Sequence, residues 1–245
     1  SSKDSFYLTF NSKKSVFEVS FPTPIKLNPN RKYECALQYF STSNYLINVT
    51  DANNKFIYSH DSGLIWNTVL LEKGSYEITQ INDEIKRFMI NKKHIDAKGN
   101  PVISIGVILS TFKSFIDISD TKYKVDFTDR TTIKNLLGFN SKLLNSGYNI
   151  SDSTVQIATA SSILIHCDII SGSFHNGIRS SVLYSFPSYL VPVGYKINII
   201  PPNMFYLPVS RTVINNISFR ITDEDDKVLD FKEEEMALAI HLKQI

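Results

Sequence analysis

Stretch after stretch of this chain alternates apolar and polar residues with a period of two, and little but β structure accommodates that. In "SVFEVSF" Phe17, Val19 and Phe21 share one parity, with Glu18 and Ser20 on the other. "KYECALQYF" repeats the pattern through Tyr33, Cys35, Leu37 and Tyr39. "SILIHCDII" does so through Ile163, Ile165, Cys167 and Ile169. "ISFRIT" follows with Ile217, Phe219 and Ile221, and "MALAIHL" with Met236, Leu238, Ile240 and Leu242. Successive side chains of a strand point to opposite faces, so each stretch predicts a strand with one buried side. Shorter candidates lie at 5–10, 55–60, 65–71, 102–109, 113–118, 122–128, 154–159, 181–186 and 194–200. Turn chemistry at 28–30, 98–100 and 200–203 separates them.

Two stretches break the period. In "GSYEITQINDEIKRFMINKK" Ile78, Ile81, Ile85, Phe88 and Met89 fall at helical spacing, which predicts a helix over 76–90 with Ser75 as its cap. "DRTTIKNLLGF" predicts a shorter one, capped by Asp129 and stopped by Gly138. Many short strands with two helical interruptions describe a β-sandwich. No linker, repeat or shift in composition divides the chain, so 1–245 reads as one domain.

Composition narrows the function classes. A net charge of +2 over 245 residues offers few clustered phosphate contacts, so no specific nucleic-acid partner is expected. The basic pairs Lys13-Lys14, Arg31-Lys32 and Lys92-Lys93 are dispersed and read as solvated surface. The longest apolar run, "VISIGVIL", is far short of the roughly 20 residues a membrane span needs. "SSKDSFYLTF" does not read as an export signal, so a non-secreted protein with free thiols at both cysteines is expected. On that ground the Asn-x-Ser/Thr triplets at Asn48, Asn149 and Asn216 read as coincidence.

The candidate chemistry is sparse. His60, His94, His166, His175 and His241 form no metal-ligand spacing, and no cofactor motif is present, so neither metal nor cofactor is expected. His166-Cys167-Asp168 has the residue types of a nucleophilic site, but alternation turns Cys167 inward and its neighbours outward. The four consecutive acids Asp223 to Asp226 read as a polar hairpin turn, with an ion site or a charged subunit contact as the other readings. Twelve Tyr and 16 Phe would suit a lectin-like, carbohydrate-binding sandwich, the alternative function, but most fall on inward parities.

Taken in order, "GSYEITQINDEIKR", "DRTTIKNLLGF", "CDIISGSFHNGIRSSVLYSF", "VPVGYKINIIPPNMFYLPV" and "ISFRITDEDDKVLDFKEEEMALAIHL" resemble the minor capsid, or penton, proteins of Polinton/Maverick elements and adintoviruses. The likeness runs collinearly from about residue 65 to the C-terminus. It implies an all-β protein, a single jelly roll with one or two short helical insertions, and no catalytic residues. It also implies a structural subunit of the virion that forms homopentamers at fivefold vertices, beside a major capsid protein with a double jelly roll. On that basis "SGSFHNG" is expected to be a loop after a core strand. Ser173, Phe174, His175, Asn176 and Arg179 are its candidate subunit-contact residues, with His175 and Arg179 the most exposed.

Overall fold

The computed structural model describes residues 2–157 and 160–245, apart from the side chain of Tyr189. The chain opens with β1 (Ser5–Ser12), β2 (Val16–Lys26) and β3 (Tyr33–Ser43). There follow β4 (Lys55–Ser59), β5 (Trp66–Leu70), helix α1 (Ile78–Asn91), β6 (Ile103–Ile108), β7 (Lys113–Ile118) and β8 (Lys124–Asp126). Next are the short helix α2 (Lys134–Leu137), β9 (Leu143–Leu144) and β10 (Gly147–Thr154). The last stretch holds β11 (Ser162–Cys167), β12 (Ser173–His175), β13 (Ile178–Ser180), β14 (Val182–Pro187), β15 (Lys196–Ile199), β16 (Leu207–Pro208), β17 (Val213–Thr222) and β18 (Met236–Gln244).

These elements form two compact units, Ser1–Leu46 with Ala160–Ile245, and Ile47–Thr159, where one domain was expected over 1–245. Each has its own hydrophobic core.

The first unit is built from two antiparallel sheets, β1-β18-β3-β15 and β14-β11-β17-β2, with β16 pairing on β3 as well. Lettered B to I in chain order, the main strands read B-I-D-G and C-H-E-F, the strand order of a jelly roll. The sheets meet face to face: Phe10 of β1 lies 4.9 Å from Phe219 of β17, and Phe40 of β3 lies 6.0 Å from Phe186 of β14. The inward parities hold at Ile163, Ile165, Cys167, Ile217, Phe219, Ile221, Leu238, Ile240 and Leu242, all buried. Along β3 the parity changes. A register shift opposite Ala239 and Ile240 leaves Gln38 unpaired, so Phe40 enters the core and Tyr39 is only half-buried. A bulge inserts one residue and reverses every face beyond it, which strict alternation cannot foresee.

The second unit carries the sheets β10-β7-β6 and β5-β4-β8-β9. Helix α1 buries Ile78, Ile81, Ile85 and Met89, as its spacing predicted. Its cap is a correction: Glu77, with Gln80, forms a capping box in place of Ser75. Asp129 likewise caps no helix. Its Oδ1 accepts from Thr131 N–H at 2.7 Å in the turn before α2, whose N-cap is Ile133. Gly138 does end α2, at φ +80°. The strand expected at 154–159 falls partly on residues 158 and 159, outside those described, while 155–157 are not strand; the strand lies earlier, as β10.

Candidate functional site

The candidate contact residues, expected in a loop, stand on a β-hairpin. Ser173, Phe174 and His175 pair with Ser180, Arg179 and Ile178. Asn176 and Gly177 make its two-residue turn at φ +49° and +79°. Two successive positive φ values define a type I′ turn, whose twist matches the flanking strands and which Asn-Gly favours. That dipeptide was the overlooked sequence signal. The hairpin lies over the outer face of the C-H-E-F sheet, where Leu164 and His166 are buried beside it.

At the hairpin's end, His175 Nε2–H donates to the Glu224 carbonyl at 2.8 Å. His175 is therefore half-buried. The most exposed apolar members are Phe174 at 63% and Ile178 at 73%, and Arg179, paired across from Phe174, is exposed too.

The acidic run 223–226 is the expected hairpin turn: Asp223 N–H donates to the Lys227 carbonyl at 2.9 Å. Asp223 turns inward, its Oδ1 accepting from the backbone N–H of Asp225 and Lys227, each at 2.9 Å. The Glu224 carboxylate accepts from the N–H groups of Ser161 and Ser162 at 3.0–3.1 Å. Burial is the largest single influence on Glu224 and raises its pKa, but these N–H groups and its own together outweigh it and hold the pKa below the usual range. Asp226 accepts from Arg220 Nη2 at 3.0 Å.

Together hairpin, sheet face and turn enclose a recess of about 500 Å³ lined by His166, His175, Arg179, Arg220, Glu224 and Asp226, among others. Behind its lining, Thr222 Oγ1 donates to the Asp223 carbonyl at 3.0 Å, so it accepts from His166 Nε2–H at 2.8 Å. The Ser181 hydroxyl lies 3.3 Å from His166 Nδ1. Burial, then the charge of Arg220, lowers the His166 pKa, and Asp226 at 3.8 Å from Nε2 only partly offsets them. The recess joins residues from three separate stretches, so no local motif announced it.

The other histidines lie elsewhere. In the second unit His60 and His94 stack with ring centroids 4.2 Å apart. On the β1–β18 pair His241 meets Ser5 Oγ at 2.8 Å and the Tyr206 hydroxyl at 2.7 Å. Among the described residues no three His, Cys, Asp or Glu side chains are grouped so as to hold a metal ion. Cys35 and Cys167 are free and fully buried. Burial pushes both thiols up, Cys167 to about 12, which keeps them protonated and unreactive. Among the described residues no helix is long and apolar enough to cross a membrane.

No family model matches the chain, and no curated protein matches it in sequence. In fold the chain is similar to the mavirus penton protein, at a TM-score of 0.51 and 14% sequence identity, over 99% of this chain and 100% of that one. What the two share, end to end, is the all-β fold of a viral penton protein.

Proposed function

We propose that this protein is a structural minor capsid protein, a penton, that assembles as a homopentamer at the fivefold vertices of an icosahedral shell. The observation that carries the reading is the fold likeness to the mavirus penton over essentially the whole of both chains. Its partners are further copies of itself and a major capsid protein with a double jelly roll; it is made inside the host cell and resides in the virion. The single-domain organisation belongs to the same reading, the second unit being an elaboration between strands D and E.

The strand order suits a ring. Strands β1 and β2 edge the two sheets on one flank, and β15 and β14 on the other. A ring closes by joining two different flanks of successive copies. Pro22 and Pro24 on the β2 edge discourage strand-to-strand addition, which leaves the contact to side chains. The hairpin supplies them: Ser173, Phe174, His175, Asn176 and Arg179 are the proposed contact residues. An exposed aromatic and an arginine on a rigid ribbon suit such a contact.

Native mass spectrometry of the protein co-assembled with its major capsid protein tests this. Five copies per ring are expected, with Phe174→Ala and Arg179→Ala weakening the ring without unfolding the monomer. Stable trimers, or a monomer that never enters particles, would overturn the reading.

A further inference from the structure

The turn after β4 displays apolar side chains that the second unit's core does not use. Leu64 is 85% exposed, Ile65 57% and Trp66 39%. These three consecutive residues sit on a rigid tip. Asp61 Oδ1 accepts from Ile65 N–H at 2.7 Å and from the Ser59 hydroxyl at 2.9 Å, and Ser59 Oγ accepts from Gly63 N–H at 2.9 Å. Ser62 and Gly63 hold positive φ to close the turn. A preformed tip loses little conformational freedom on docking.

The surroundings are basic. Ser62 N–H donates to the Lys122 carbonyl at 2.7 Å, and Ser59 pairs with Lys124, which brings both lysines beside the turn. The His60–His94 stack brings the Lys92-Lys93 stretch to the same place. Among the described residues none of these four lysines forms an ion pair. The acids nearby are Asp61, occupied by the tip itself, and Asp96 and Asp120, which accept from backbone N–H groups in their own turns. The Tyr58 hydroxyl lies 2.6 Å from His94 Nδ1, Asn67 Nδ2 donates to His60 Nδ1 at 3.0 Å, and Tyr123 packs edge-on against His94. Asp126, two residues along β8 from Lys124, likewise accepts from Thr128 in its own turn, and a proton gained by His94 adds to the positive charge of the lysines.

We propose that the tip at residues 61–66 is a membrane-surface docking element, inserting Leu64, Ile65 and Trp66 among the headgroups of an anionic bilayer while the lysines and the paired histidines face its charge. Apolar burial and attraction to anionic lipid together drive such peripheral binding, and tryptophan favours the interface. Burial, then His60 and Lys92, holds the His94 pKa below the ordinary histidine range. Docking therefore strengthens as the pH falls, and by reciprocity an anionic surface favours protonated His94. Nothing in this depends on the number of copies in a ring.

The chain reports on the tip directly, because Trp66 is its only tryptophan. Emission of the intact protein is recorded with vesicles of equal parts phosphatidylserine and phosphatidylcholine, and with phosphatidylcholine alone, at about pH 7.5 and about pH 5.5. The expected result is a blue shift and quenching by brominated acyl chains on the anionic vesicles, larger at the lower pH. Leu64→Ser with Ile65→Ser should abolish it while circular dichroism stays unchanged. His94→Asn should remove the difference between the two pH values. No shift at either pH overturns the proposal, as does an equal shift on phosphatidylcholine alone. A shift that follows protein concentration without vesicles overturns it in favour of a second copy as the occupant.

Discussion

The two units of this chain solve the same problem in opposite ways. The first is assembled from both ends of the sequence: β1 pairs with β18 along its whole length, from Ser5 against Lys243 to Ser12 against Met236. The second is one continuous stretch whose ends meet locally, since Asn48 Nδ2 donates to the Ile157 carbonyl at 3.1 Å. Closing a sheet between distant residues is slow because loop entropy is lost before contacts form, so the first unit is expected to complete after the continuous one. Their cores differ too. The first packs aliphatic chains around Phe10, Phe40 and Phe219, while the second adds a helix and the Tyr58 cluster. The chain also labels the units separately: both cysteines lie in the first and the only tryptophan in the second.

Matched core truncations make the largest break in this comparison. Phe219 and Phe56 are each fully buried, one in each core. Phe219→Ala and Phe56→Ala should each cost about 3–5 kcal/mol. Phe219→Ala should speed alkylation of Cys35 and Cys167 and leave the Trp66 unfolding midpoint in place; Phe56→Ala should do the reverse. If either variant moves both signals equally, the units unfold as one and the division is of shape alone.

A smaller effect separates two glycines that both hold positive φ. A Cβ on Gly138 would collide with the Ser153 and Thr154 carbonyls, whereas Gly177 has open space around it. Gly138→Ala combines backbone strain with displacement of β10 and should cost about 2–3 kcal/mol. Gly177→Ala meets strain alone and should cost about 1 kcal/mol, nearly all of it local to the hairpin. Urea midpoints order the two; a larger loss at Gly177 would mean that the hairpin, not the α2 stop, is the more tightly held turn.

What the sequence discloses follows the same physics. Strands with one buried face were legible, as at β11, β17 and β18, because burial enforces alternation. Strands without it were not. The loop expected at "SGSFHNG" holds β12, and β9, β10 and β13 were not foreseen as strands; most residues of these four are exposed or half-buried, so no parity is imposed. The two-unit division was invisible because both units use the same alternating vocabulary. Of the site, the candidate stretch was singled out by resemblance, as a loop and not as the hairpin it forms. The recess and the burial of His166 depend on a hairpin folding back over its own sheet, which no local window contains.

The smallest predicted difference is in response to acid, and its sign follows from where the shifted groups lie. His166 in the first unit and His94 in the second both have lowered pKa values, chiefly through burial. The folded state then binds fewer protons than the unfolded chain, so stability falls as pH drops below about 6.5, and both units share that loss. The carboxylates are divided unequally. Asp61, Asp96, Asp129 and Asp152 in the second unit are held below the usual range, foremost by the N–H groups of Ile65, Asn100, Thr131 and Asn140 respectively. In the first unit Glu224 shows such a lowering. A lowered carboxylate stabilises the fold above its unfolded pKa and ceases to as it is protonated, so this second loss begins below about pH 4. Segment-resolved hydrogen exchange, corrected for intrinsic rates, should show the units loosening in step between about pH 6.5 and 4, with residues 47–159 leading below that. Asp129→Asn with Asp152→Asn should narrow the gap. Were the jelly roll to open first, these turn carboxylates would not be what sets the acid response, and histidines in the recess would become the place to look.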